Sequence, residues 1–290
     1  MTRKATTTTR AKATDTSVAP KTRAPRTNGD LTIQIKTELK HKNETQKLLT
    51  TAIKGGDITI CTGPAGTGKT YLSCLQALNE LKSNDFIKKI VLVKSVTTLK
   101  SEEIGFLKGS MEEKMEPFMY SFTGNFEKLI GRELFTKLKL DGYIEILPIA
   151  YLRGVNIDNA VVIIDEVQNI SIENIRTILT RLGENSKMIF LGDVKQIDAK
   201  NKYDSALSFL LTHFRGVPRI GVVEFSKDDI IRHPLVKVIE DIFDKVEDAK
   251  KLEQSKQIKP QAPVSRLLTE GVLPKKEKKQ FFKGFLSFFR

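Results

Sequence analysis

The stretch GPAGTGKT, residues 63–70, constrains this chain more than any other feature of it. Gly63, Gly66 and Gly68 fall within six positions, so no regular helix or strand can run through them. An apolar, β-prone run (DITICT) precedes the stretch and a helical pattern (YLSCLQALNELK) follows it. Strand, glycine loop and helix in that order form a cradle for phosphate. Backbone N–H groups of Gly63, Ala65, Gly66, Thr67 and Gly68 can turn inward, Pro64 alone lacking the donor. Lys69 then reaches the β- and γ-phosphates, and the Thr70 hydroxyl meets Mg²⁺ at the start of a helix whose dipole favours anions.

The rest of the chain keeps the same rhythm. The runs KIVLVKS, YIEILPI, AVVIIDE, KMIFLGD and IGVVEFS are short, rich in Ile and Val, and apolar at consecutive positions. Strands of that kind belong in a parallel sheet covered on both faces. Helical spacing falls between them at about residues 69–83, 110–138, 171–182, 203–214 and 234–253, and also in IKTELKHKNETQKLLTTAIK ahead of the glycine loop. The alternation predicts an α/β domain of three layers over residues 31–253. Residues 1–30, rich in Thr, Ala, Pro and basic side chains, are expected to be a disordered tail. Residues 254–290 read as a basic linker, broken by Pro260, Pro263 and Pro274, that ends in a Phe-rich amphipathic peptide.

The net charge of +13 sits in those tails: +5 over residues 1–30, +7 over 245–290, and only +1 between them. Tails of this sign can gather a polyanion, or stay solvated and repel one another. Composition of the central region says nothing about nucleic acid. No apolar run reaches the length of a membrane span, and the two cysteines, Cys61 and Cys74, lie inside patterned elements as small apolar side chains. The chain reads as intracellular, with a cytoplasmic location expected. His41, His213 and His233 are scattered without acids or cysteines at ligand spacing, so none is assigned to a metal.

Two further strand ends carry chemistry. AVVIIDEVQN places Asp165 and Glu166 directly after a wholly apolar run, where a carboxylate is costly unless it serves a metal or a proton. Asp165 is read as the acid that holds Mg²⁺ and Glu166 as the general base that deprotonates the attacking water. The plainer alternative is a cap for the helix that starts near Ser171, which needs only one acid. KMIFLGDVKQID ends likewise in Gly192-Asp193, with Gln196 in reach of the γ-phosphate or the water as a sensor. Asp198 and Asp204, farther along, read as loop and cap residues.

Taken together, GPAGTGKTYLSCLQAL, GFLKGSMEEKMEPF, PIAYLRGVNIDNAVVIIDEVQN, TILTRLGENSKMIFLGDVKQID and DDIIRHPLV resemble the PhoH-like (phosphate-starvation-inducible) family of ATPases over about residues 40–243. The resemblance implies a single RecA-like domain, related to the first motor domain of superfamily 1 helicases, with core strand order 5-1-4-3-2. It implies ATP and Mg²⁺ as cofactors. It also suggests that Gln46 reads adenine through a bidentate amide contact; the alternative for Gln46 is a solvent-facing helix residue. Arg153 and Arg232 match the family's arginine positions and are candidates to stabilise the transferring phosphoryl group, with Arg181 a weaker third; a surface arginine is the alternative for each. Many relatives have Arg-Pro where this chain has Lys94-Ser95. That exchange keeps the charge but loses the planar fork.

One motor domain lacks the second sheet that a helicase moves across ATP. The expectation is therefore a homo-oligomeric ring, such as a hexamer, with an arginine reaching across in trans, acting on RNA or single-stranded DNA. A nuclease domain of the kind fused to some relatives is not expected, since its acids would precede residue 40. The alternative function is a nucleotide-gated recruitment module with slow hydrolysis. In that reading, the segment Phe281, Phe282, Phe285, Phe288 and Phe289 binds a partner such as a sliding clamp, docks back on the domain, or meets a membrane surface.

Overall fold

The computed structural model describes residues 32–94, 119–152, 154–197 and 205–257. Six strands build one sheet: β1 (Ile58–Thr62), β2 (Lys89–Lys94), β3 (Ile144–Leu147), β4 (Ala160–Asp165), β5 (Lys187–Gly192) and β6 (Ile220–Glu224). Every pairing is parallel and the spatial order is β3-β2-β4-β5-β1-β6. The expected core order appears as β6-β1-β5-β4-β2. The short YIEILPI run adds β3 at the edge beside β2.

Helices α1 (Glu44–Gly55), α2 (Lys69–Ser83), α3 (Tyr120–Ile130), α4 (Arg132–Leu140), α5 (Ile172–Leu179) and α6 (Ala206–His213) accompany the sheet. Two buried clusters line its faces. Cys61, Val161 and Ile163 meet Leu49, Leu75, Leu78 and Phe126 on one side. Ile60, Val162 and Ile164 meet Ile175, Ile178 and Leu210 on the other. Alternation along β1 and β4 thus feeds both layers, which explains why these strands are apolar throughout.

Two helices depart from the sequence pattern. Helical spacing begins at Ile35, yet α1 starts only at Glu44, because the Asn43 side chain accepts the Gln46 N–H and caps it there. The segment before it forms no regular element, with bends at residues 36–37 and 42–43; it buries Ile33 and donates from the Lys36 N–H to the Leu129 carbonyl. The long helix expected over 110–138 is two helices, since Gly131 at φ 85° breaks it between α3 and α4; residues 110–118 lie outside the described residues.

The chain divides into two compact units, one ending at Ile231 and one beginning at Arg232. The first holds the sheet and α1–α6. The second contains α7 (Pro234–Gln257). Among the described residues no helix is long and apolar enough to cross a membrane. The C-terminal linker expected from residue 254 begins later, since α7 runs on to Gln257; residues 1–31 and 258–290, with the Phe281–Phe289 peptide, lie outside the described residues.

Candidate functional site

The glycine loop runs from β1 into α2. Gly63 has φ 141°, and a Cβ there would stand 2.6 Å from both the Cβ and the carbonyl oxygen of Phe225. Gly66 and Gly68 also have positive φ, 87° and 90°. The loop is pinned from several sides. The Gly63 N–H donates to Gly192, the Ile231 N–H donates to Gly66, and the buried Thr67 hydroxyl donates to Pro64. No side chain caps α2, because its N-cap is Gly68. The first-turn N–H groups, those of Lys69 and Thr70 among them, are therefore left for an anion. Lys69 Nζ donates to the carbonyls of Gly63 (2.5 Å) and Pro64 (2.8 Å). A loop whose turns exclude Cβ atoms, ahead of an uncapped helix N-terminus, fits a nucleotide's phosphates.

The strand ends come level beside this loop. Thr62 pairs with Gly192, Ile164 with Phe190, and Asp165 with Lys94. Burial, and then the neighbouring Glu166, push the Asp165 carboxyl above its usual range, while Lys94 and Lys69 pull it back. Burial also lowers the Lys69 ammonium, against the opposing fields of Cys61, Asp193, Asp165 and Glu166. Cys61, beneath the loop, is a free thiol pushed up to about 12 by burial, and Cys74 is likewise buried and raised. Neither is a nucleophile near neutral pH.

Glu166 sits in the left-handed region (φ 58°, ψ 41°), a conformation that costs an ordinary residue about 1–2 kcal/mol. Its carboxylate accepts from Gln168 Nε2 at 2.6 Å, and Lys94 Nζ lies 3.8 Å from it and 4.0 Å from Asp165. Lys94 also donates to Ser121 Oγ on α3 (3.2 Å). The Asp193 N–H donates to Gln168 Oε1 (3.1 Å), and the Asp193 carboxylate accepts from Gln196 Nε2 (3.1 Å). Neither Asp165 nor Glu166 caps α5, because Ser171 accepts the Asn174 N–H in that role.

The sequence-derived residues fare differently. Gly63 to Thr70, Asp165, Glu166 and Gln196 gather at one edge of the sheet. Gln46 joins them: it is 2% exposed, donates to the Thr67 carbonyl (2.9 Å), and accepts from the Lys42 N–H (2.8 Å). The solvent-facing alternative for Gln46 is therefore overturned. Arg153 lies outside the described residues, as do Asp198 and Asp204. Arg232 opens the second unit. Arg181 follows α5 where its carbonyl accepts the Ile157 N–H, at the edge where strands begin, opposite the glycine loop. His41 bonds to Thr50, His213 packs its ring against Phe209 at a 46° tilt, and His233 Nδ1 accepts the Leu235 N–H. Among the described residues no group of His, Cys, Asp and Glu is arranged to hold a metal by itself.

Two roles lie beyond the sequence reading. Lys94, legible there only as a loop charge, puts a second positive group beside the acids. Its signal is its place as the last residue of β2, level with Asp165 only once the register is known. Gln168, three residues beyond Asp165, bonds back to Glu166 from within the single 3-10 turn at Val167–Asn169.

The model of the family described as PhoH-like protein matches residues 38–244. The PhoH-like protein of Bacillus subtilis is 40% identical over 200 residues, covering 69% of this chain and 62% of that one. Protein PhoH of Escherichia coli K12 is 35% identical over 196 residues, covering 67% and 55%. The chain thus spans less than two thirds of the length of the curated relatives it matches. Among solved structures, the large terminase of a thermophilic bacteriophage overlays with a TM-score of 0.41 at 13% identity, covering 66% of this chain and 47% of that one.

Proposed function

The chain belongs to the PhoH-like protein family, and from that premise we propose that it binds ATP with Mg²⁺, hydrolyses it, and couples the cycle to RNA or single-stranded DNA. The observation that carries this reading is the convergence of Lys69, Asp165, Glu166 and Asp193 at level strand ends, close enough for each acid to act on the lysine's charge.

In this reading the backbone from Gly63 to Gly68 and the first turn of α2 grip the phosphates, and Lys69 leaves the carbonyls of Gly63 and Pro64 to meet them. Thr70 and Asp165 are hard oxygen donors suited to Mg²⁺, which when bound supplies neutralisation of phosphate charge. Glu166 takes the proton of the attacking water. Gln196 registers the γ-phosphate from the tip of β5. Gln46, already fixed between Lys42 and Thr67, keeps a second N–H and a second lone pair for adenine. Arg153 or Arg232 completes the charge on the transferring group, from the same chain or from another copy in a ring.

The test is steady-state turnover with Mg²⁺, with and without RNA and single-stranded DNA. Glu166→Gln is expected to bind ATP normally and to lose about 10²–10⁴-fold in turnover. Unchanged turnover removes Glu166 from the role of base. If no nucleic acid alters the rate, the coupling falls, and slow hydrolysis in a recruitment module takes its place.

A further inference from the structure

We propose that Gln168 is a positioning residue, tying the hydrolytic base to the sensor loop through one buried amide. The inference rests on Glu166 being that base. Gln168 is 4% exposed, and both ends of its side chain are engaged: Nε2 donates to Glu166 Oε2 at 2.6 Å, and Oε1 accepts the Asp193 N–H at 3.1 Å. The amide can face only one way. A carboxylate accepts and a backbone N–H donates, so the NH₂ end must meet Glu166 and the carbonyl end Asp193. Beyond Asp193 the chain of contacts continues to Gln196 through the aspartate's carboxylate.

Gly192 supplies an independent observation. A Cβ at that position would stand 2.8 Å from Gln168 Oε1, 2.8 Å from Leu207 Cδ2 and 3.4 Å from the Gln168 backbone nitrogen. The β5 exit is thus shaped to admit this amide. The residue is also anchored from behind, since Ser205 Oγ, at the start of α6, donates to its carbonyl at 3.2 Å. A flexible glutamate in the left-handed conformation has several rotamers available to it. The short, charge-assisted bond from Gln168 selects one of them, and it does so only while Asp193 holds the other end of the amide.

Movement of the β5 tip, where Gln196 would meet the γ-phosphate, is therefore transmitted to the base without any contact between Gln196 and Glu166. Removing the amide leaves the phosphate cradle whole but frees the glutamate. The expected signature is a fall in kcat with binding preserved, of the size seen when residues that orient catalytic groups are lost, about 10–100-fold.

Two variants test this: Gln168→Leu, which removes both bonds, and Gln168→Glu, which keeps the shape and the acceptor for Asp193 while facing Glu166 with a second carboxylate. Each is measured for kcat, for KM, for affinity toward a non-hydrolysable ATP analogue, and for thermal midpoint, alone and combined with Glu166→Gln. Support is a kcat about 10–100-fold lower with analogue affinity within about twofold, and no comparable further loss when Gln168→Leu is added to Glu166→Gln. Unchanged kcat in an actively hydrolysing parent overturns the inference but leaves the proposed ATPase standing. Equal losses with and without Glu166 overturn it too, because the residue would then act elsewhere. So does a kcat loss matched by lost affinity and a lower midpoint in both variants, which marks a purely structural role. A parent that binds no ATP overturns both readings.

Discussion

The Asp165 carboxyl is held where burial and the adjacent Glu166 both favour its protonated form. Its folded pKa therefore exceeds the unfolded value of about 3.9. Between those two values the folded state holds the extra proton, so stability falls as pH rises through that window and stays lower above it. Asp165→Asn removes the penalty. Without nucleotide or Mg²⁺, the variant should be more stable than the parent at pH 7, and the difference should shrink toward pH 3, as urea midpoints at the two pH values would report. No gain at pH 7 would mean that Lys94 and Lys69 outweigh burial. A second residue carries an uncompensated cost. Gln76 on α2 is buried with both amide atoms unpaired, so Gln76→Met should raise unfolding free energy by about 1–3 kcal/mol with an unchanged denaturant slope. At this scale the sequence was legible where a motif dictates placement: Lys69 and Thr70 open α2 directly after the glycine loop, and Asp165 ends β4. It was opaque where a role depends on a partner remote in sequence. The spacing of DEVQN does not say that Gln168 meets Asp193, and Lys94 gains its acid neighbours from strand pairing.

Elements form where periodicity and caps agree. The helix α2 occupies the residues its spacing predicts, because Gly68 starts it and Leu72 to Leu78 are buried at every position, with Leu81 one turn on. At α1 the periodicity overruns the helix, because Ile35 and Leu39 pack on the core at helical spacing from an irregular segment and only Asn43 marks the start. The far end of α1 is held by a device no pattern reveals. Lys187, the first residue of β5, sends Nζ to the carbonyls of Ile53, Lys54 and Gly56 at 2.9, 2.8 and 3.1 Å, with Glu80 at 3.9 Å. A cation there satisfies terminal carbonyls and complements the helix dipole. Lys187→Met is expected to cost about 2 kcal/mol, read as a lower urea midpoint, with ATP affinity unchanged. A change under about 0.5 kcal/mol would show water replacing the cap without loss.

At the scale of the whole molecule, the alternation of apolar runs and helical stripes was enough to give the layered α/β architecture. The order of the five core strands came instead through the family resemblance, since spacing along a chain does not say which strands lie side by side. The edge strand β3 was visible as an apolar run, but its place was not, because an edge partner is chosen by packing rather than by composition. A ligand gripped at the ends of β1, β4 and β5 would tie the centre of the sheet together. Mg-ATP at a hundred times its dissociation constant should therefore stabilise the chain by about 2.7 kcal/mol, a rise of roughly 5–10 °C in the thermal midpoint for a unit of this size. Glu166→Gln should show the same rise, and Lys69→Ala should show none. The tight reversal ahead of β5 sits at the other rim, where Asn185 is exposed with φ 51°. A dye or affinity handle grafted at that corner would ride on the molecule as a passive reporter, leaving the reacting edge free for tracking of turnover or assembly in real time.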